Sequence, residues 1–357
     1  MIYSILLAIL LVALVLLLVW QLLRWLPAGA DGLKPLPYVI ALLPIAPLCA
    51  GFVLIASAVA AVAARSQNGF YKSYVLLCVA YALLFLISLK SYSPYFARRL
   101  QEQTQEKSQE KSLEIRVMTL NCRYGRANAS QIIKLAKTHK IDTILLQEVS
   151  KKLVKSLEKL GIERDFAHVQ LGNTNNHENG GFNAIYTRLS NIKESFGKSI
   201  KIDAANVPIV TAVACDSSLE AGDSRAENLL ITFASAHPKS PMRGCAAWCS
   251  GIMALEKIGE NHNKSGCKKV TIIGGDLNST PDHPSFRTLL KSGFLDASMQ
   301  IGKRLKTWPT WQKWPNLALD HVLVKSTGCS AKATEQSTIR VDGSDHFALI
   351  VCVSIPL

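Results

Sequence analysis

Three long stretches without a charged residue lie in the N-terminal third of this 357-residue chain, and they limit what it can fold into. They cover residues 2–23, 40–64 and 73–89. An apolar helix of roughly 20 residues spans the hydrocarbon core of a bilayer, whereas buried helices of a soluble domain rarely come as successive charge-free runs. The sequence therefore predicts an integral, multi-pass membrane anchor over residues 1–100 with three transmembrane helices.

The first apolar run could instead be a secretory signal peptide, because Ala28-Gly-Ala30 resembles a cleavage site. A basic segment before it is missing, however, and the run is longer than a signal peptide needs, so we expect a retained helix. Prolines crowd the start of the second run, which predicts that its regular helix begins near Pro47.

Residues 101–112 contain no apolar side chain and are predicted to form a solvated linker. Beyond it, residues 113–357 alternate extended and helical patterns, which indicates one α/β domain. The chain from residue 113 onward carries 31 basic and 22 acidic residues, a surplus that suits an anionic partner. Nucleic acid, a phospholipid surface or a phosphorylated small molecule would each satisfy it. The nine cysteines form neither a zinc motif nor a disulfide framework in a chain of this length.

A short β-branched run, Val270–Ile273, is followed by two glycines, Asp276 and Asn278. The pattern predicts a buried strand that ends at the glycines, with an acid and an amide two residues apart just past it. Such a pair can hold a water molecule or a phosphate. The alternative is an ordinary strand-to-helix connection with an Asx turn.

Other polar residues also stand at the ends of apolar extended runs. Each has an ordinary structural explanation, such as a turn, a first-turn helix charge or a surface residue before proline. Together they indicate a site, because loops at one edge of a sheet are where sites are assembled. The residues that follow or precede such runs are Asn121, Glu148, His237, Asp276, Asn278, Asp320, Asp345 and His346.

Residues 113–357 resemble the endonuclease/exonuclease/phosphatase superfamily with its DNase I-like fold. Seven motifs carry the resemblance, in order Thr119-Leu-Asn121, Gln147-Glu148-Val149, Asn183-Ala-Ile-Tyr-Thr-Arg188, Ala236-His237-Pro238, Gly275-Asp276-Leu-Asn278, Leu319-Asp320-His-Val322 and Ser344-Asp345-His346. The resemblance implies a four-layer sandwich of two mixed β-sheets flanked by helices. It also implies divalent-metal-dependent hydrolysis of phosphoester or phosphoanhydride bonds.

The residue types suit that chemistry. Mg²⁺ prefers carboxylate and amide oxygens, and Mn²⁺ would accept the same ligands. Asp276 or His346 would take the proton of the attacking water, and both remain candidates. The metal site is expected at Glu148, Asn121 and Asp345, and the other roles fall to Asp276 and Asn278 (water alignment), His346 oriented by Asp320, His237 (transition-state charge) and Asn183 (substrate contact).

Three tryptophans, Trp308, Trp311 and Trp314, precede Asp320 and suit a bilayer interface or a lipid headgroup. They could equally cover the hydrophobic core from a loop. The anchor, the Thr307-Trp-Pro motif and the following LDHVLV also resemble the membrane-bound bacterial branch of the superfamily, which includes glycopeptide-resistance membrane phosphatases. That branch implies phosphate release from a polyprenyl diphosphate, with Trp308 as a substrate contact.

We therefore expect an enzyme of the bacterial cytoplasmic membrane that hydrolyses a lipid-linked phosphate or diphosphate. The alternatives are a membrane-tethered Mg²⁺-dependent endonuclease acting on nucleic acid, a sphingomyelinase-like phospholipid phosphodiesterase and an inactive binding module. Nothing in the sequence indicates a protein partner. The distribution of basic residues favours a cytoplasmic domain, whereas the resemblance implies an extracytoplasmic one, and we follow the resemblance.

Overall fold

The computed structural model describes residues 1–96, 112–175, 178–193, 199–214, 229–259, 268–312 and 317–357. The predicted linker at 101–112 therefore lies outside the described residues except for Ser112, and so does Trp314. The predicted domain boundaries at 100 and 112 stay predictions.

The N-terminal part forms three helices that are long and apolar enough to cross a membrane, over residues 2–25, 36–63 and 69–91. Their length and composition fit the three predicted transmembrane helices, and their insertion into a membrane stays a prediction. Their regular segments are α1 (Ile2–Leu22), α3 (Ala46–Ala63) and α4 (Asn68–Ser88), and a short helix that the sequence did not predict, α2 (Leu36–Ala41), precedes α3.

Small and aromatic side chains hold these helices together. Ala60 and Ala61 of α3 allow close approach, and the buried Tyr74 and Tyr81 of α4 donate hydrogen bonds to backbone carbonyls of α1. The outward faces stay apolar; Phe52, for example, is 74% exposed. An apolar surface of this kind is typical of helices that face lipid.

The rest of the chain forms two mixed β-sheets. The strands are β1 (Ser112–Asn121), β2 (Thr143–Val149), β3 (His168–Leu171), β4 (Phe182–Thr187), β5 (Ile192–Lys193), β6 (Ser199–Lys201), β7 (Asn206–Ala214), β8 (Leu229–Ser235), β9 (Lys269–Asp276), β10 (Leu295–Asp296), β11 (Asp320–Thr327), β12 (Lys332–Arg340) and β13 (Phe347–Pro356). The first sheet has the order β12-β13-β1-β2-β4-β3, and the second β10-β11-β9-β8-β7-β5 with β6 paired to β7. Only β1 with β2 and β8 with β9 pair in parallel among the described strands.

Apolar side chains fill three layers of core, which confirms the predicted sandwich. Ile115, Val117, Phe233 and Ile272 pack between the two sheets. The helices α5 (Ala129–Thr138) and α6 (Lys151–Lys159) cover the outer face of the first sheet. The helices α7 (Cys245–Ala254) and α8 (Pro284–Lys291) cover the second, and α9 (Ala297–Ile301) lies beside β11 and β12.

The two glycines before Asp276 do not end the strand as the sequence suggested, because β9 continues through Asp276. A Cβ at Gly275 would lie 1.8 Å from the carbonyl oxygen of Ala236, which follows β8, and one at Gly274 would lie 2.5 Å from Leu145 of the opposite sheet. Glycine is therefore required there by close packing rather than by a turn.

The segment between α1 and α3 packs against α7 and α8 through polar contacts. The buried carboxylate of Asp31 accepts hydrogen bonds from the backbone N–H, at 2.9 Å, and from the hydroxyl of Ser285. His283 Nε2 lies 2.9 Å from the carbonyl oxygen of Pro37. These contacts place α2 beside the edge of the sheets where β1, β2 and β9 end.

Candidate active site

The parallel pairs bring the carboxyl ends of β1, β2, β8 and β9 to one edge of the sandwich. There the Asn121 amide nitrogen donates to Glu148 Oε1 at 3.1 Å and to Asp276 Oδ2 at 3.0 Å. The backbone N–H of Arg123 donates to Asn121 Oδ1, which fixes the orientation of the amide. Asn121 thus holds two carboxylates from different sheets beside each other.

Asp276 is surrounded by donors. The backbone N–H of Asn278 donates to its Oδ1 at 2.8 Å, and the Nε2 atoms of His237 and His346 lie 3.4 and 3.6 Å from its Oδ2. Burial alone would raise the pKa of Asp276, but the charge of His346, with His237 and Asn121, holds it well below its ordinary value. Asp276 therefore stays ionised.

His346 is paired with Asp320. Its Nδ1 lies 2.8 Å from Asp320 Oδ2, and the Nε2 atom faces Asp276. Burial alone would lower the pKa of His346, but the carboxylates of Asp320 and then Asp276 raise it to about 10. The imidazole is therefore protonated at neutral pH.

His237 lies beneath Asp276 and is 2% exposed. The amide nitrogen of Asn179 is 3.1 Å from its Nδ1, and that of Asn278 is 3.4 Å from its Nε2. Asn179 also donates to the carbonyl oxygen of Pro238 at 3.1 Å. No sequence pattern pointed to Asn179, which stands in a polar loop with three other asparagines.

The backbone around the site is strained. Of the six described non-glycine residues with positive φ, four line this region, namely Arg123, Tyr124, Glu148 and Asn278. Such conformations cost on the order of 1–3 kcal/mol each and persist where surrounding structure enforces them. Gly180 closes over the site, and a Cβ on it would lie 2.2 Å from Glu148 Oε2.

The residues present fit a divalent metal. The Glu148 side chain is 15% exposed, and its carboxylate lies beside that of Asp276, so two hard oxygen donors converge on one place. Asp276, Asp320 and His346 also offer ligand atoms that all lie within 4.8 Å of one another. Asp320 Oδ1 is buried with no hydrogen-bond partner among the described residues. Glu148 and Asp276 suit a hard divalent ion better, because His346 already engages Asp320 through Nδ1. The Asn121 oxygen accepts from Arg123, so the role of Asn121 as a metal ligand stays a prediction.

Two predicted residues lie at the edge of this cluster and a third outside it. Asp345 accepts from the indole N–H of Trp308 at 3.4 Å and lies 3.9 Å from Arg123 Nε. Asp345 and Trp308 line the same cavity as the other site residues. Asn183 is fully buried in β4, and its amide donates to the carbonyl oxygen of Asn206 at 3.0 Å. Its role in binding substrate stays a prediction.

A cavity of about 670 Å³ opens above these residues. Its polar floor includes Asn121, Glu148, Asp276 and His346. The walls also include basic and aromatic residues that the sequence did not point to, Arg123, Tyr124 and Arg243, and residues of the anchor segment, Pro37, Tyr38, Ala41 and Leu42. The arrangement can bind a phosphate, hold a metal ion beside it and orient water for attack.

Comparison with known proteins agrees with this chemistry. The family model of the Endonuclease/Exonuclease/phosphatase family matches residues 118–346, so the chain belongs to that family. Its members are metal-dependent phosphoester hydrolases, and the chain is an enzyme of this class. Among curated proteins, none matches the sequence.

Solved structures show the same fold at low sequence identity. A humanized D. rerio TDP2 carrying 14 mutations is 16% identical with a TM-score of 0.51, over 67% of this chain and 98% of that one. The endonuclease/exonuclease/phosphatase from Beutenbergia cavernae is 13% identical with a TM-score of 0.47, over 68% and 72%. At 16% identity the likeness to the TDP2 structure shows the fold alone.

Proposed function

We propose that this chain is a membrane-anchored, divalent-metal-dependent phosphohydrolase that releases phosphate from a lipid-linked phosphate or diphosphate. The metal is Mg²⁺, with Mn²⁺ as a substitute. We also propose that residues 1–100 anchor the protein in a bacterial cytoplasmic membrane. The catalytic domain would then lie on the extracytoplasmic face, as the resemblance to the membrane-bound branch implies.

One observation supports a lipid-linked substrate: residues of the N-terminal anchor segment form one wall of the catalytic cavity. Its floor is polar and charged, whereas Ala41, Leu42 and the 84% exposed Met242 provide an apolar side. A substrate that carries both a phosphate and an apolar chain matches both surfaces at once. Because α2 directly precedes a bilayer-length apolar helix, the chain of such a substrate could remain in the membrane while its phosphate reaches the floor.

In the proposed reaction a water oxygen attacks phosphorus and the bond to the leaving oxygen breaks. His346 is already protonated in the free enzyme, so it contacts the phosphate as a cation and can donate to the leaving oxygen. The ionised Asp276, oriented by Asn121 and Asn278, is then the group that aligns the water and accepts its proton. His237 adds a further donor beside the same carboxylate.

A divalent ion held by Glu148 and Asp276 would neutralise charge on the phosphate when it is bound, with Asn121 positioning the two carboxylates. Asp345 lies across the cavity edge and could join that site or bind it through water.

The test is a substrate panel with full-length protein in detergent: a polyprenyl diphosphate, a sphingomyelin-type phosphodiester and plasmid DNA, each with Mg²⁺ and with chelator. We expect chelator-sensitive phosphate release from the polyprenyl diphosphate. Leu42→Gln should lower kcat/KM for this substrate roughly ten-fold by removing an apolar contact, and should leave a short-chain diphosphate unaffected. Leu33→Gln is the matched control, because Leu33 lies in the same segment but does not line the cavity.

A membrane-tethered nuclease is the second candidate, and the basic surplus of residues 113–357 favours it. Arg123 and Arg243 on the cavity wall could contact a nucleic-acid backbone. Chelator-sensitive nicking of the plasmid, with neither phosphate released from the diphosphate nor a phosphorylated headgroup from the phosphodiester, would refute the lipid substrate and establish this alternative.

A further inference from the structure

A second, smaller cavity of about 170 Å³ lies where the anchor meets the catalytic domain. It is lined by Arg24 and Trp25 after α1, by Lys90 after α4, and by Asp282 and Arg287 from the domain. Three cations therefore face one carboxylate. A neighbouring residue, Ser91, donates to Asp282 Oδ1 at 3.0 Å, so that carboxylate is already shared.

Arg24 is only partly neutralised in this cavity. It is 5% exposed and its Nη2 lies 2.9 Å from Asp282 Oδ1, but its Nε and Nη1 atoms are buried without a hydrogen-bond partner among the described residues. Arg287 donates to the carbonyl oxygen of Arg24, which brings a second guanidinium beside the first. Buried donors of a charged group are costly when unpaired, so the positive charge at this cavity would favour an entering anion.

The cavity also lies at the ends of two helices that are long and apolar enough to cross a membrane. Trp25 is 49% exposed, Arg24 and Lys90 lie 5.8 and 5.5 Å from its ring centre, and both helices that deliver these residues are long enough to span a membrane. Tryptophan and basic residues at the ends of transmembrane helices mark the headgroup region. The anion within reach there is the phosphate of a lipid.

We propose that this cavity binds the phosphate of an anionic bilayer phospholipid, as a site separate from the catalytic one. The lipid phosphate pairs with Arg24, Lys90 and Arg287, and its acyl chains follow the apolar surfaces of α1 and α4. This inference rests on the membrane anchoring proposed above. Asp282 links the cavity to the loop that carries Asp276 and Asn278, so a bound lipid would also stabilise the junction beside the active site.

The test uses full-length protein in detergent and native mass spectrometry with phosphatidylglycerol, phosphatidylcholine and inorganic phosphate as probes. We expect one phosphatidylglycerol to bind at concentrations where phosphatidylcholine does not, and inorganic phosphate not to displace it. Lys90→Gln should weaken phosphatidylglycerol binding about five-fold, the contribution typical of one basic residue at an anionic surface. Lys72→Gln should leave it unchanged, because Lys72 is exposed near the start of α4, whereas Lys90 follows the end of that helix.

Equal binding of the two lipids, equal effects of the two lysine variants, or displacement by millimolar phosphate would each overturn the site. Retention of the protein in membranes after an alkaline carbonate wash separates this inference from the anchoring. A protein that stays in the membrane without lipid preference refutes only the phospholipid site, whereas one that washes out refutes the anchoring as well.

Discussion

Two buried histidine–aspartate pairs lie next to each other in this molecule, and consecutive residues of β11 contribute to them. Asp320 pairs with His346 at 2.8 Å, and His321 pairs with Asp296 at 2.7 Å. Because successive side chains of a strand point to opposite faces, the first pair faces the cavity and the second lies in the outer core against Phe286.

The pairs differ in the partner of the second ring nitrogen. His321 Nε2 lies 2.9 Å from the carbonyl oxygen of Ser279, so both nitrogens are engaged within the fold. His346 Nε2 instead faces Asp276 at 3.6 Å, beyond hydrogen-bond distance, and borders the cavity. A histidine–carboxylate pair is thus suited to chemistry only where one ring nitrogen remains available to a ligand.

The largest loss of activity is expected for His346→Gln. Loss of the imidazolium that contacts the phosphate should lower kcat on the order of 10²–10⁴-fold, while glutamine can still donate to Asp320. Steady-state phosphate release, measured below the unfolding temperature of the variant, checks this.

His321→Gln is the matched control, because His321 follows Asp320 on β11 and belongs to the other histidine–aspartate pair. It should lower Tm but keep kcat per folded molecule within about two-fold, since neither ring nitrogen reaches the cavity. If His346→Gln kept full activity, or His321→Gln lost as much as His346→Gln, the distinction between the two pairs would be wrong.

A smaller effect is expected from Gly180→Ala, which tests whether the site depends on a fixed Glu148. A Cβ at residue 180 would lie 2.2 Å from Glu148 Oε2, and the φ of 89° is unfavourable for alanine. Displacing the carboxylate should reduce kcat roughly 10²-fold and raise the Mg²⁺ concentration needed for half-maximal activity.

Gly69→Ala is the control for that substitution, because a Cβ there meets nothing within 4 Å. Activity and metal dependence of the Gly69 variant should match those of the unaltered protein. An unchanged metal dependence in Gly180→Ala would show that Glu148 is not positioned by this glycine.

The same comparison shows what the sequence could and could not predict. Asp276, Glu148 and Asn121 were predictable because each ends a strand, and parallel strands bring such ends to one edge. Asn179 was not, because its contact with His237 depends on how a polar loop folds back. Asp31 lies 254 positions from Ser285, and no local pattern encodes that contact. The sequence pattern does not predict the edge strand β12, because its residues are largely polar and partly exposed.

The pH dependence of stability is expected to differ between the buried histidines His321 and His283. Burial alone would lower the pKa of His321, but its hydrogen bond with Asp296 raises it above the ordinary value of 6.5. The folded state then holds the proton more tightly than the unfolded state. The stability that this proton contributes is complete below about pH 6.5 and is lost as pH rises through the folded pKa.

We therefore expect the Tm difference between the unaltered protein and His321→Gln to be largest near pH 6 and to shrink toward alkaline pH. His283→Gln should show the opposite trend. Burial lowers the pKa of His283, whose Nδ1 accepts from the Thr280 N–H, so its contribution is complete above about pH 6.5 and is lost on acidification. Differential scanning fluorimetry across this range measures both. Parallel curves for the two variants would show that the protonation of His321 does not stabilise its pair.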